Sequence, residues 1–159
     1  MAGIAHLGFG FAAKRFAPRV PIVALLGASW LPDLLAVIFS LVQIDKTPQS
    51  VLTHSLIGAL VWSVLAGVAA AIAYRDLRSS VVVASLVALH WILDFITWPM
   101  KSVFPNATGL ALTLDNSKLF GLGLYGSLAA VVVLEAALPL IGILLYVQYT
   151  LKMRKTRLT

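Results

Sequence analysis

Cysteine is absent from the 159 residues, which excludes a disulfide framework, a thiolate metal site and a cysteine nucleophile. Charge is scarce as well: 11% of residues are charged, against about 25% in a typical soluble domain. With 60% hydrophobic residues and a mean hydropathy of +0.97, the chain has too few polar groups to cover a water-facing globule. The same apolar surplus excludes a disordered chain. No internal repeat or low-complexity tract is visible. The glycine pairs at Gly8-Phe9-Gly10 and Gly121-Leu122-Gly123 lack the strand–loop–helix context of a phosphate loop, and read instead as points of close helix packing.

Acidic residues are scarcer than basic ones, 6 against 12, which leaves a formal net charge of +6. In a soluble chain that would raise nucleic acid as a partner. Here the bases flank long apolar runs, as in a membrane protein, so no nucleic-acid partner is expected. Four runs approach the roughly 20 apolar residues that a bilayer core requires: Val20 to Gln43, Val51 to Tyr74, Val81 to Pro99 and Leu122 to Thr150. A shorter stretch, Ala2 to Ala13, has neither a basic leader nor a cleavage site and reads as a membrane-embedded helix or half-helix. The fold class expected is all-α: a polytopic bundle of four long transmembrane helices plus the short N-terminal helix, one integral membrane domain over residues 1–159. Residues 101–121 form an outer loop, with alternating leucines that suit a short strand or a lid, and residues 152–159 form a basic tail. Nine of the 12 bases fall on one side: Lys14, Arg15, Arg19, Arg75, Arg78 and four in the tail. By the positive-inside rule that side is cytoplasmic, which places a multi-pass protein in the cytoplasmic (inner) membrane with its C-terminus inside.

Ionisable groups in the middle of apolar runs are the informative positions, since each costs about 2.5–3.5 kcal/mol to insert unless it is paired, bound or wetted. They are His6, Asp33, His54, His90, Asp94 and Glu135. His90 and Asp94, one helical turn apart, share a face that Thr97 continues. At 1.5 Å per residue, Asp33 lies ~20 Å above Arg19, and His90 and Asp94 lie ~15–25 Å above Arg78, so these groups can meet at one depth. Pro32 frees a backbone carbonyl and can kink its helix beside Asp33. Three histidines and two aspartates at one level suit a metal ion; each alone also fits a structural hydrogen bond between helices. Glu135 is left open, with Ser127, Tyr125 or a lysine as possible partners. Trp30, Trp62, Trp91 and Trp98 read as packing or interface anchors, with Trp91 and Trp98 beside the acidic face.

Four short motifs in order, Ala5-His6-Leu7-Gly8, Leu31-Pro32-Asp33, Thr53-His54-Ser55 and His90-Trp91-Ile92-Leu93-Asp94 running into Thr97, resemble the YdjM-like (DUF457) family of LexA-regulated inner-membrane metal-dependent hydrolases. The order of His, Asp, His and His-x-x-x-Asp is also similar to the first part of the ligand set in helical zinc phospholipases C and the related S1/P1 nucleases. The resemblance implies His6, Asp33, His54, His90 and Asp94 as metal ligands. The chain departs from these patterns in carrying Gln49 and Ser50 where the family often has His-Arg, and in having no histidine after His90. One or two ions then suit the inventory better than three.

The function expected is a membrane-embedded metal-dependent hydrolase. A divalent ion, zinc by its imidazole and carboxylate donors, activates water towards a phosphodiester or ester of an amphiphilic, lipid-like substrate, with Asp33 or Asp94 bridging metals or acting as general base. Two alternatives stand beside it. One is a metal or proton transporter, against which count the lack of an inverted repeat and of a second broken helix. The other is a non-catalytic membrane subunit whose polar cluster holds helices together.

Overall fold

Proline, glycine and serine decide where the apolar runs break. The computed structural model describes residues 3–45, 50–97, 110–111, 114 and 119–158, and over these the chain is helical apart from one short strand pairing. Helix α1 spans Ala5–Ala13. The first long run is a bent pair rather than one rod: α2, Ile22–Ser29, and α3, Leu31–Leu41, meet at 65°. The cause lies in the sequence. Pro32 has no N–H, so the carbonyl of Ala28 loses its helical donor, and the ladder stops at Trp30. It restarts with Pro32 in the first turn of α3, where a missing N–H costs nothing, and with Asp33 in the same turn, where the helix dipole favours a carboxylate.

The second run is also interrupted. A four-residue helix α4, Val51–His54, ends at Ser55, whose extended backbone starts α5, Leu56–Tyr74. Ser55 caps α5 by accepting the Gly58 N–H at 2.9 Å. Asp45 pins the other end of α4 by accepting the Leu52 N–H at 2.9 Å. This break lies before the candidate span Leu56–Tyr74 begins, so α2–α3 is the one bent pair of this kind among the described residues.

Helix α6, Leu77–Thr97, returns antiparallel beside α5. Gly67 lets the two backbones approach, and Ser80 Oγ donates to the Gly67 carbonyl at 2.7 Å. Residues Leu110–Ala111 pair antiparallel with Leu119–Phe120, in keeping with a short strand in the outer loop; the remainder of the proposed lid, with Trp98, lies outside the described residues. A single 3-10 turn, Leu124–Gly126, leads into α7, Leu128–Leu158, which carries the basic tail as a continuation of the helix.

Three helices are long and apolar enough to cross a membrane, Leu56–Tyr74, Leu77–Thr97 and Leu128–Thr156; the bent α2–α3 pair makes a fourth if it counts as one span. Their surfaces agree with that environment. Large aliphatic side chains such as Val23, Ile72, Leu77 and Leu128 stand exposed around the bundle, which water would not tolerate at this density. Inside, α1 lies between α2 and α7. Gly8 of α1 abuts α7, where a Cβ would collide with the backbone of Leu138, and Gly142 of α7 answers it by abutting Gly8; Gly10 does the same against α2. A small apolar core of Ala13, Ala17, Val20, Leu25, Ala28, Ala70, Val83 and Leu86 closes the basic end of the bundle.

The turn between α5 and α6 allows a direct test of that end. Asp76 caps α6 by accepting the Ser79 hydroxyl and the Ser79 N–H, and the hydroxyl bond above all holds its carboxyl below the ordinary 3.8. A folded value below the unfolded one means that the cap contributes fully above that ordinary value and is lost as pH falls through the lowered one. Asp76→Ala should lower the melting temperature of the detergent-solubilised protein at neutral pH, and the gap to wild type should close on acidification below pH 3.8.

Candidate metal centre

Four elements each bring an ionisable group to one level of the bundle: α1 brings His6, α3 Asp33, α4 His54, and α6 both His90 and Asp94. The helix breaks make this convergence possible. Because the ladder stops at Trp30, the carbonyl of Ser29 is released from its helix and accepts from His90 Nδ1 at 2.9 Å. A carbonyl can only accept, so His90 Nδ1 carries the proton and Nε2 is left to face the interior. His6 is oriented in the same way, its Nδ1 lying 3.2 Å from the Gly3 carbonyl. His54 is held through a relay: Thr53 donates its hydroxyl to the Ser50 carbonyl at 3.1 Å, which leaves that oxygen to accept from His54 Nδ1 at 2.7 Å.

All three Nε2 atoms therefore point at the two carboxylates. His6 Nε2 lies 3.3 Å from Asp94 Oδ1, and His90 Nε2 lies 3.4 Å from Asp94 Oδ2. His54 Nε2 lies 3.3 Å from Asp33 Oδ1 and 3.6 Å from Asp94 Oδ2, while His90 Nε2 is 3.7 Å from Asp33 Oδ2. The rings of His6 and His90 stack at 3.9 Å between centroids. The cluster is almost dry: His6, His54, His90 and Asp94 are buried, and the Asp33 side chain, at 15% exposure, is the most open of the five.

His54 Nε2 pairs with Asp33 Oδ1, while His6 Nε2, His90 Nε2 and Asp33 Oδ2 have no hydrogen-bond partner. No lysine or arginine forms an ion pair with the cluster among the described residues. With Nδ1 as the protonated nitrogen, an Nε2 that faces a carboxylate needs either a second proton on the ring or a metal ion between the two. The spacing suits a metal. Two ligand atoms 2.0–2.1 Å from a tetrahedral zinc stand about 3.4 Å apart, close to the separations found here, whereas charge-assisted N–H···O bonds are shorter, at about 2.7–2.9 Å. Two overlapping groups bring their ligand atoms within 4.8 Å of one another, His6–Asp33–His90 and His54–His90–Asp94. Both use His90, which makes it the pivotal member.

All five residues singled out in the sequence meet here. Thr97 does not: its hydroxyl donates along its own helix to the carbonyls of Leu93 and Asp94. Glu135 stays outside, accepting the Tyr125 hydroxyl and the Ala5 N–H. The tryptophans do more than pack. Trp91 donates its indole N–H to the His54 carbonyl at 2.8 Å, Trp30 to the Gly3 carbonyl at 3.2 Å and Trp62 to the Leu52 carbonyl at 3.0 Å. Two of these bonds hold the backbone of a histidine or of its orienting carbonyl. A buried indole needs an acceptor, and that need was the available signal; the acceptors lie up to 37 residues away in sequence. Ser29 and Gly3 act through backbone oxygen, for which side-chain identity gives no sign.

No protein-family model, curated protein or solved structure matches this chain.

Replacing His90 or Asp94 with alanine should abolish bound divalent metal, read by elemental analysis of the purified protein; wild-type metal content in both variants would defeat the assignment. Thr53→Val, which removes the acceptor of His54 Nδ1 together with the bond to the Ser50 carbonyl, should weaken metal binding about 10–100-fold, the usual effect of losing an orienting partner.

Proposed function

We propose that this chain is a membrane-embedded metal-dependent hydrolase of the YdjM-like kind. One or two divalent ions, zinc by donor type, would be held by His6, Asp33, His54, His90 and Asp94. The observation that carries the reading is the meeting of three Nε2 atoms and two carboxylates inside an apolar bundle, with His6 Nε2, His90 Nε2 and Asp33 Oδ2 left without hydrogen-bond partners. In this reading the bent α2–α3 pair counts as one crossing, which gives four crossings with α1 embedded beside them. The nine-base side, including the C-terminus, is cytoplasmic in an inner membrane.

A bound ion supplies Lewis-acid activation of water and of the oxygen under attack. The chain supplies the rest. Buried His6, His54 and His90, each fixed through Nδ1, hold their Nε2 atoms in place before any substrate arrives. Asp33 Oδ2, partnerless and on the most open of the five side chains, is placed to take the proton from the attacking water. Asp94, buried between His6 and His90, would help to hold the ion. The leaving alkoxide would take back the proton held by Asp33 as its bond to phosphorus or acyl carbon breaks. With no basic side chain paired to the cluster among the described residues, the substrate's negative charge would be met by the metal itself. Lipid-facing walls on every side favour an amphiphile that arrives through the bilayer.

A second reading, a transporter, has one observation in its favour. The bent α2–α3 pair places an interrupted helix beside the ionisable cluster, and interrupted helices line ion paths in transporters. Reconstitution separates the two. The hydrolase reading expects metal-loaded protein to cleave a phosphodiester or ester amphiphile in mixed micelles, and expects Asp33→Asn to lower turnover about 10²–10⁴-fold. Metal flux or proton leak in sealed liposomes, with no hydrolysis of any such substrate, would favour the transporter.

A further inference from the structure

Glu135 is an ionisable group that the proposed chemistry does not use. It sits on α7, a helix with only 6% of its apolar window buried, so its neighbourhood is otherwise lipid-facing. A carboxylate there is costly, and its contacts account for its presence. Oε2 accepts the Ala5 N–H at 3.0 Å, and Oε1 accepts the Tyr125 hydroxyl. The carboxylate also lies against Gly3, where any Cβ would collide with it.

The first turn of α1 carries no acid of its own, and Ile4, at its N-cap, offers no side-chain acceptor. That turn therefore has no side-chain cap of its own, and Glu135 provides an acceptor for the buried Ala5 N–H from another helix. The residue after Ala5 is His6. The carbonyl of Gly3, beside the Glu135 carboxylate, accepts His6 Nδ1 and Trp30 Nε1. One turn further along, Gly8 and Gly142 lock the same two helices together. Sliding or rotation of α1 against α7 would carry His6 Nε2 away from Asp94, 3.3 Å distant.

We propose that Glu135 is a positioning residue for the metal centre. From α7 it holds the N-terminal turn of α1, sets the His6 ring against Asp94, and through Tyr125 ties the segment entering α7 to the same point. The proposal rests on the metal-centre reading for its consequence and on geometry alone for its effect on His6.

The test uses the full chain in detergent, with zinc as the probe. Glu135→Leu removes the acceptor, whereas Glu135→Gln keeps an amide oxygen for the Ala5 N–H. Glu135→Leu should weaken zinc binding about 10–100-fold, and Glu135→Gln should recover most of that loss. In zinc-free protein the 15N imidazole resonances of His6 should move in Glu135→Leu, while those of His54 stay in place. A lowered melting temperature with unchanged zinc affinity and an unmoved His6 signal would reduce Glu135 to a structural contact and overturn the proposal. Should Glu135→Leu fail to fold, Tyr125→Phe frees one carboxylate oxygen and should shift the His6 signal to a smaller extent; no shift there overturns the proposal as well. If the wild type binds no zinc, the metal reading falls, and the His6 resonances still decide whether Glu135 positions that ring.

Discussion

Three imidazole Nε2 atoms and two carboxylates meet in one apolar interior, and two buried carboxylates so close together call for positive charge, from added protons on the rings or from a bound metal ion. The backbone fixes the problem in place rather than relieving it. Each Nδ1 is bound to an oxygen, so no ring can turn its N–H inward without breaking that bond. The spacing that lets these groups pair with one another, with ligand atoms within 4.8 Å in two groups of three, also suits a metal ion.

The two helix breaks serve the same end. A continuous helix through Trp30 would occupy the Ser29 carbonyl with a ladder bond, leaving His90 without its orienting acceptor. The proline that removes a donor from α2 thus helps to free the Ser29 carbonyl that orients His90, 61 residues further along the chain. The break at Ser55 is comparable: it allows α4 to turn His54 and Thr53 towards the cluster while α5 continues as a span. Non-helical backbone at membrane depth is tolerated where protein covers it, and here it is covered by the groups it orients.

The five ionisable positions were legible in the sequence because each stands alone in an apolar run, where its cost marks it. Their common depth was legible too, since helical rise converts residue number into height. The kink at Pro32 followed from its missing N–H. The break at Ser55 was not legible, because a Thr-His-Ser stretch inside an apolar run carries neither proline nor glycine to announce it. The partner of Glu135 was undetermined for a different reason. Tyr125 was one of several candidates, and the other partner is a backbone N–H, which any residue but proline could have supplied. Carbonyl acceptors such as Gly3 and Ser29 are hidden from sequence reading in the same way.

The cluster is asymmetric, and the asymmetry bears on how a substrate would reach it. His6, His90 and Asp94 are closed off by α1, α2 and α6, with His90 at 1% side-chain exposure. Asp33 is the open side, on α3, whose other side chains Leu34, Val37, Ile38 and Leu41 stand exposed along the outer face of the bent pair. Asp33 is the most exposed member of the cluster, at 15% against 9% or less for the histidines. On the hydrolase reading this separates the roles of two chemically identical groups: the enclosed carboxylate stays with the cation, and the open one stands where water and substrate arrive. On the transporter reading the same opening is the mouth of the path, and the closed base beneath His90 then needs a second conformation in which the core of Leu25, Val83 and Leu86 parts. A hydrolase needs no such rearrangement, because its substrate and product can use the one opening.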